Sequence, residues 1–216
     1  MSIRLKIDFV SDVSCPWCVI GLKSLEQALA NIHEAVEADI HFQPFELNPQ
    51  MPADGQLLDE HLLEKYGATP EHFAATRQSI RDRGEALDFV FRMERRDRIY
   101  NTFDCHRLLH WAGEQGRQLE LKMALFRLYF TEGQNPGATE VLLGAVADVG
   151  LDVVRAAAIL ASDEYAEAVR ERQRYYASCG INAVPAVVIN DRYLIQGGQP
   201  VDAFELALRE IAAVKE

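Results

Sequence analysis

The sequence lacks a long uninterrupted apolar run. No stretch approaches the roughly 20 apolar residues that a membrane-spanning helix needs. Residues 1–8 alternate apolar and polar or charged side chains, so they do not form the apolar segment of a secretion signal either. We therefore expect a cytoplasmic protein with no membrane partner.

An excess of positive charge is also missing. The 216 residues carry 22 lysines and arginines against 33 acidic side chains, which gives a formal net charge of −11. A surface of this sign repels phosphate backbones, so we predict no nucleic-acid partner. The densest basic stretch, residues 92–98, is interrupted by two acidic residues and is interpreted as a solvated surface.

Cysteines are few: there are four in the chain. In a reducing cytoplasm such a number favours catalytic, metal-binding or inert thiols over a disulfide scaffold. Cys15 and Cys18 form a CxxC pair, whereas Cys105 and Cys179 stand alone. Because unpaired cysteines are among the most buried residue types, we predict that Cys105 and Cys179 are small buried side chains.

Hydrophobic periodicity and turn residues predict the elements of the fold. There is no internal repeat and no low-complexity tract. In chain order, the predicted elements are a strand at 3–10, a helix from Pro16 with an apolar stripe through Val36, a strand at 40–45, helical patterning from 57 to 180 whose last helix starts at Ser162 and is capped by Gly180, two strands at 186–189 and 192–195 around Asn190-Asp191, and a closing amphipathic helix.

This order, βαβ followed later by ββα, predicts an α/β protein with a thioredoxin-like fold interrupted by an all-helical insertion. We expect the thioredoxin-like domain to comprise residues 1–50 and 161–216. Residues 51–160 would form the insertion. The sequence carries no signal for an oligomeric state.

The CxxC pair carries the chemistry. Proline is tolerated at the first position of a helix, so Pro16 predicts that Cys15 is the N-cap residue. Its sulfur would then face unpaired amide groups and the positive end of the helix dipole, and both favour the thiolate that attacks disulfides. Cys18 lies one turn later and is more sheltered. We therefore predict that Cys15 is the nucleophile and Cys18 the resolving thiol.

A CxxC pair can also supply half of a zinc site. The remaining ligands would come from Cys105, His106 and His110, which follow nearly ninety residues later. Structural zinc sites usually take their ligand pairs from a short stretch of chain, so we predict no metal. His106 and His110 are otherwise typical of a helix surface or a satisfied core.

Several separated motifs resemble known proteins. The segment Cys15-Pro16-Trp17-Cys18 after a strand, with Val184-Pro185 opening a late strand, resembles the DsbA-like branch of the thioredoxin superfamily. Further motifs are similar to the FrnE group of that branch and extend the resemblance over the whole chain. They are residues 44–49, Asn101-Thr102 followed by His106-Arg107-Leu108, and residues 197–200. Cys105 departs from the pattern, because alanine is expected there.

The resemblance implies protein disulfide oxidoreductase or isomerase activity without a bound organic cofactor. It also implies that the Val184-Pro185 bond is cis and faces the cysteine pair; the residues alone indicate only that Pro185 begins a strand. The partners would be protein clients with disulfides or thiols, with glutathione as a candidate co-substrate. The residues expected to support the site are Pro16, Trp17, Val184, Pro185, Asp12 and His106.

The acidic residues before the cysteines have two interpretations. Asp8 and Asp12 could accept a proton from Cys18, but the sequence favours solvated carboxylates. Trp17 is expected to flank the disulfide and contact clients, although an aromatic residue there can equally be a packing residue.

Two other functions stay open from the sequence. The FrnE group is similar to 2-hydroxychromene-2-carboxylate isomerases and kappa-class glutathione transferases, which would imply a glutathione-dependent enzyme. Those isomerases typically have serine where Cys15 stands, so the CxxC pair argues against that function. The other alternative is a zinc-stabilised or chaperone-like binding module with an apolar groove around Trp17 and Pro185.

Overall fold

The computed structural model describes residues 2–67 and 70–214. Within these ranges, no helix is long and apolar enough to cross a bilayer. The elements are β1 (Ile3–Ser11), α1 (Pro16–Asn31), β2 (Val36–Pro44), β3 (Gln56–Leu57), α2 (Leu58–Tyr66), α3 (Pro70–Glu85), a 3₁₀ turn (Met93–Arg95), β4 (Arg98–Ile99), α4 (Phe103–Glu114), α5 (Gln118–Phe130), α6 (Thr139–Asp148), α7 (Val153–Leu160), α8 (Ala166–Ser178), β5 (Ala186–Ile189), β6 (Tyr193–Gln196) and α9 (Val201–Ala213).

The main sheet has the strand order β2-β1-β5-β6. Strand β1 runs parallel to β2, from Ile3 opposite Val36 to Ser11 opposite Pro44. It runs antiparallel to β5, which pairs antiparallel with β6. This arrangement confirms the predicted α/β class and the thioredoxin-like order. Both α1 and the chain before β5 reach the sheet at the end of β1, which positions the cysteine pair there.

The first helix is shorter than predicted. It ends at Asn31, and Ala35 N and Val36 N both donate to the Ile32 carbonyl, at 2.8 and 3.0 Å. Val36 is therefore the first residue of β2 and not part of the helical stripe. The apolar spacing ran across this turn because Ile32 and Val36 are both buried in the same core.

The inserted segment is not entirely helical, which corrects the prediction. Gln56–Leu57 and Arg98–Ile99 form a two-stranded antiparallel ladder. Strands of two residues are too short to show alternation, so no sequence pattern predicted them.

The basic stretch at residues 92–98 is not simply a solvated face. Arg96 is buried, and its guanidinium carbon lies 4.8 Å from the ring centroid of Tyr129 and 5.2 Å from that of Phe130. Aromatic faces attract a guanidinium group, which makes this burial tolerable. The interpretation as solvated surface is therefore wrong for Arg96.

Helix α8 starts later than predicted. Its first residue is Ala166, after Tyr165 in the left-handed region at φ 61°. Ser162 instead closes the turn after α7: its hydroxyl donates to the Ile159 carbonyl at 3.1 Å and accepts from Glu164 N at 3.3 Å. The other end is as predicted, since Gly180 follows the helix with φ 82°.

The C-terminal hairpin is confirmed with a one-residue shift. Asn190 and Asp191 have φ of 52° and 55°, the left-handed conformation that these residue types tolerate. Arg192 N donates to the Ile189 carbonyl at 3.1 Å, so Arg192 belongs to the turn and β6 starts at Tyr193. The loop therefore has three residues rather than two.

One continuous core joins the sheet to the inserted helices. It includes Phe9 of β1, Leu25 of α1, Leu108 of α4 and Phe126 of α5. The closing helix α9, predicted to be amphipathic, adds the buried residues Phe204 and Leu208. The predicted domain limits stay a prediction, because the inserted helices share their core with the sheet.

Candidate active site

The cysteine pair lies at the first turn of α1. Cys15 is the N-cap residue, with φ −95° and ψ 112°, and Pro16 follows at the first helical position, as predicted. Cys18 N donates to the Cys15 carbonyl at 3.1 Å, so the two thiols are one tight turn apart. Cys15 is 3% exposed and Cys18 is fully buried. Both are free thiols.

The Cys15 sulfur does not make the capping hydrogen bond expected from the sequence. It donates instead to the Val184 carbonyl oxygen at 3.7 Å, a long thiol hydrogen bond. Burial, followed by contact with Cys15, raises the pKa of Cys18 well above its usual value. The two thiols therefore differ in environment: Cys15 borders a groove and Cys18 is sealed in the core.

The loop before β5 lies against the cysteine helix. The Val184-Pro185 bond is cis, as the resemblance implied, and the Pro185 carbonyl accepts from Gly197 N at 2.8 Å. A Cβ atom on Gly21 would lie only 3.0 Å from Pro185 Cγ. Helix α1 therefore approaches this loop closely because residue 21 has no side chain.

A groove with a volume of about 610 Å³ opens beside Cys15. One wall is formed by residues 14–17, 45–48 and 182–184. The opposite wall, which comes from α2, α3 and the 93–99 segment, consists of Leu58, His61, Leu62, Lys65, Tyr66, Phe73, Thr76, Arg77, Ile80, Met93, Arg96 and Ile99. The groove is therefore mainly apolar with several basic side chains, and the sequence-predicted Trp17 and Val184 both line it.

Trp17 is half-buried and lies on the cysteine wall, where it contacts a residue of α3. The guanidinium carbon of Arg83 in α3 lies 5.4 Å from the centroid of the Trp17 ring, and Arg83 Nη2 donates to the Gly198 carbonyl at 2.6 Å. A Cβ atom on Gly198 would lie 3.0 Å from the Trp17 carbonyl oxygen. The motif at residues 197–200 thus packs on the first turn of α1.

Asp12 is buried behind the cysteine pair, so the interpretation as a solvated carboxylate is wrong. It accepts hydrogen bonds from Ser14 N at 3.2 Å, Ser14 Oγ at 3.0 Å and Leu47 N at 2.7 Å. Burial alone would raise the pKa of Asp12, but contact with His106 and the hydrogen bond from Leu47 outweigh burial and lower the pKa to about 2. Asp12 therefore anchors the loop before Cys15.

Asp8 is also buried and is not solvated as the sequence favoured. Gln43 Nε2 donates to it at 2.6 Å, and Lys6 Nζ lies 3.1 Å from its other oxygen. Asp8 is on β1 and does not line the groove.

His106 is buried on the inner side of Asp12. The distance from His106 Nε2 to Asp12 Oδ1 is 3.7 Å, and within the described ranges Nε2 has no hydrogen-bond partner. His106 thus contacts Asp12 but does not line the groove, and its support of the cysteine pair stays a prediction. His110 is half-buried, with its ring 5.1 Å from that of Tyr165.

Comparison with known proteins identifies the family. The model of the DSBA-like thioredoxin domain matches residues 6–209. The chain belongs to this family. A solved structure described as a probable DsbA oxidoreductase from Streptomyces coelicolor is 32% identical, with a TM-score of 0.90 over 98% of this chain and 92% of that one.

Two more distant structures share the fold of this DSBA-like chain. A 2-hydroxychromene-2-carboxylate isomerase is 14% identical, with a TM-score of 0.72 over 95% of both chains. The cytosolic disulfide reductase DsbM from Pseudomonas aeruginosa, solved with GSH, is 15% identical, with a TM-score of 0.66 over 97% of this chain and 100% of that one.

The two remaining cysteines of the DSBA-like chain differ. Cys105 is buried as predicted, its thiol donates to the Pro136 carbonyl at 3.1 Å, and burial raises its pKa. Cys179 is exposed at the end of α8, so its predicted burial is wrong. Among residues 2–67 and 70–214, no three or more His, Cys, Asp or Glu side chains are grouped to bind a metal ion.

Sequence reasoning missed Lys122 of α5. Its side chain is almost fully buried, and Nζ lies 4.9 Å from the ring centroid of Phe126 and 5.9 Å from that of Phe42. Burial lowers the pKa of Lys122. The available signal was weak: most residues of α5 are apolar, and Lys122 stands between Leu121 and Met123.

Proposed function

We propose that this DSBA-like protein catalyses thiol-disulfide exchange through Cys15 as nucleophile and Cys18 as resolving thiol. The observation that carries the proposal is the asymmetry of the pair. Cys15 borders a 610 Å³ groove at the start of a helix, whereas Cys18 is sealed one turn behind it. An incoming disulfide can therefore meet Cys15 first.

The exchange proceeds in two displacements. The Cys15 thiolate attacks one sulfur of the client disulfide, and the other client sulfur leaves as a thiolate and takes a proton. Cys18, once deprotonated, attacks the Cys15 sulfur of the mixed disulfide; the Cys15–Cys18 bond forms and the second client thiolate leaves. The reverse sequence oxidises a client dithiol. A small thiol such as glutathione is the proposed co-substrate that restores the reduced pair, without a bound organic cofactor.

The proposed clients are proteins or peptides that carry disulfides or thiols. Groove volume supports this, because sites of about 300–1,000 Å³ hold ligands of small-molecule or short-peptide size. Trp17 and Val184 would contact the client, while Pro16, Pro185, Asp12 and His106 would support the pair. We also propose a cytoplasmic location, which the similarity to a cytosolic disulfide reductase supports.

Single-cysteine variants test the proposal. Cys15→Ser should abolish insulin reduction, because the groove then has no thiol that can attack the client. Cys18→Ser should retain the first attack and accumulate a mixed disulfide, detectable by mass spectrometry of the intact protein. Cys179→Ser is the matched control, since this exposed cysteine lies outside the site and its loss should leave turnover unchanged. Normal turnover in Cys15→Ser would contradict the proposal.

A second candidate function is a glutathione-dependent isomerase or transferase. The observation in its favour is the basic wall of the groove, where Lys65, Arg77 and Arg96 could meet the carboxylates of glutathione. The distant likeness to an isomerase and to a reductase solved with GSH supports the same ligand. Isomerase turnover that survives the Cys18→Ser substitution would favour this function over dithiol exchange.

A further inference from the structure

The groove beside Cys15 carries positive charge in a chain that is otherwise acidic. The whole sequence has a formal net charge of −11, yet three lysine and arginine side chains line the groove, namely Lys65, Arg77 and Arg96. Among the described lining residues, Glu46 is the only acidic one. This local reversal of sign indicates what the groove binds, because complementary charge selects partners at a binding surface.

Two charged groups of the groove already have partners of opposite charge. Arg77 is paired with Asp59. Glu46 is paired with Arg170, and its carboxylate also accepts from Gln173 Nε2 at 2.9 Å. The charge that a ligand meets in the groove therefore comes from the two remaining cations.

These two cations, Lys65 and Arg96, form no ion pair within the ranges that the structure describes. Arg96 is 8% exposed, and its guanidinium group lies against the rings of Tyr129 and Phe130. Its Nε has no hydrogen-bond partner among the described residues. Both cations act on one region: burial, then the charges of Lys65 and Arg96, lower the pKa of His61. An anion supplied by a ligand would be stabilised there.

Lys65 of α2 is held in position across the groove. Its Nζ donates to the Leu47 carbonyl at 2.9 Å and to Asn48 Oδ1 at 2.8 Å. Both partners belong to the wall that carries Cys15. An ammonium group has three N–H donors, so one donor remains for a ligand. Because the side chain is already ordered, an anion that binds here avoids much of the usual cost of immobilising a lysine.

Hydrogen bonds connect this ammonium group to the loop of the nucleophile. Lys65 Nζ binds the Leu47 carbonyl, and Leu47 N donates to Asp12 Oδ2 at 2.7 Å. Asp12 also attracts the Lys65 charge, but its carboxylate already accepts three hydrogen bonds from Ser14 and Leu47. Ser14 directly precedes Cys15. The cation and the attacking sulfur therefore border one groove and are held in one arrangement.

We propose that the groove selects disulfide clients with a carboxylate close in sequence to the reacting cysteine, and that Lys65 recognises this carboxylate. The inference rests on the proposed dithiol function and deepens it, because it names the class of client: an acidic peptide segment. While Cys15 attacks the client sulfur, the remaining N–H of Lys65 donates to the carboxylate and Arg96 adds its charge. The apolar lining, which includes Trp17 and Tyr66, packs against the rest of the segment.

Matched peptides test this selection. Each peptide has one cysteine, bonded to an aromatic thiol that is coloured when released, and either Glu or Gln at one position within three residues of that cysteine. The rate constant for release of the thiol measures the attack of Cys15. It is divided by the rate constant with dithiothreitol, because a carboxylate close to a disulfide itself slows attack by a thiolate.

For at least one position, the wild-type protein should prefer the Glu peptide about fivefold, the upper end for an ion pair near a protein surface. Added salt should reduce this preference, since salt screens the interaction between exposed charges. Lys65→Met should remove the preference, and Lys65→Arg should keep it. The ratio of two peptides cancels any general loss of activity, which is what a merely structural role of Lys65 would cause.

Lys23→Met is the matched control. This lysine is on the same helix as the cysteines, is paired with Glu26 and does not line the groove. Its loss should leave the preference for the Glu peptide unchanged. Lys65→Glu is a further variant that reverses the charge, and it should prefer a peptide with Lys at the same position over the Glu peptide.

Three results would overturn the inference. Equal rates for Glu and Gln peptides at every position in the wild type remove the selection and leave the dithiol function intact; binding of S-methylglutathione that depends on Lys65 would then assign the cations to glutathione. A preference that persists in Lys65→Met assigns the recognition to another group. Failure of the wild type to release the thiol from any peptide contradicts the proposed function, and the inference is lost with it.

Discussion

At the scale of single residues, Asp12 is stabilised as a carboxylate by groups from three parts of the chain. Ser14 contributes two hydrogen bonds, Leu47 contributes one from the segment after β2, and His106 approaches from α4. The contacts lower the pKa of Asp12 from 3.8 to about 2 despite its burial. Ionised Asp12 therefore favours the folded state.

This shift predicts a specific pH dependence for Asp12→Asn. A carboxylate whose pKa is lower in the folded state contributes stability above its unfolded pKa, and the contribution is lost as pH falls from about 4 toward 2. The shift corresponds to about 2 kcal/mol. The free energy of unfolding, measured with urea across this pH range, should fall less steeply with decreasing pH for Asp12→Asn than for the wild type. Parallel curves for the two proteins would contradict the assignment.

Single residues also mark the limit of what the sequence predicts. Pro16 was sufficient to place Cys15 at the helix cap. Proline has a constrained ring and no backbone N–H, so within a helix it suits the first position, which follows the cap residue. Nothing comparable marks Asp12 or Lys122. Their burial depends on partners that lie 35 or more residues away in the sequence, such as Leu47, and local patterns do not contain such contacts.

At the scale of elements, three segments of the chain pack closely together at Gly21. Gly21 of α1 faces Pro185 on one side, and a Cβ atom there would also lie 3.3 Å from the Cα atom of Gly198. Helix α1, the Val184-Pro185 loop and the loop that contains Gly198 thus hold one another in position. The position of the Val184 carbonyl beside Cys15 depends on this packing.

Gly21→Ala should therefore reduce client turnover by displacing the Val184-Pro185 loop from Cys15. Overpacking of this kind costs about 1–3 kcal/mol. The control is Gly144→Ala in α6, where a Cβ atom meets nothing within 4 Å, so alanine should raise stability by up to about 1 kcal/mol and leave turnover unchanged. Thermal unfolding and insulin reduction of both variants measure the difference; equal behaviour would contradict the role of Gly21.

The order of the long elements was predictable, but several of their ends were not. Period-two and period-four patterns located β1, α1 and α9 because each has a strongly apolar side. Elsewhere a turn preserved the apolar spacing, as at Val36, or a strand was too short for a pattern, as at Gln56–Leu57.

At the scale of the whole molecule, the inserted helices and the sheet share one core. Helices α4 and α5 pack against β2, and Phe42 of that strand belongs to the common cluster. Neither part would keep its apolar face covered without the other. We therefore expect the chain to unfold in one cooperative step.

The two tryptophans allow this expectation to be measured, since Trp17 is in α1 and Trp111 is in α4 of the insertion. Trp17→Phe leaves a fluorescence signal from the insertion, and Trp111→Phe leaves one from the redox helix. In each variant the urea midpoint by fluorescence should coincide with its own midpoint by far-ultraviolet circular dichroism. Midpoints that separate would show two independently folding units.

The groove has one wall from the segments that hold the cysteines and the other from α2, α3 and the 93–99 segment. Under the proposed function, the segments that hold the cysteines would carry out the exchange, and α2, α3 and the 93–99 segment would supply much of the remaining contact with the client. If that function holds, substitutions in α2 and α3 should change which disulfides the protein accepts while the chemistry of Cys15 and Cys18 is kept, so these two helices are the place to begin engineering selectivity.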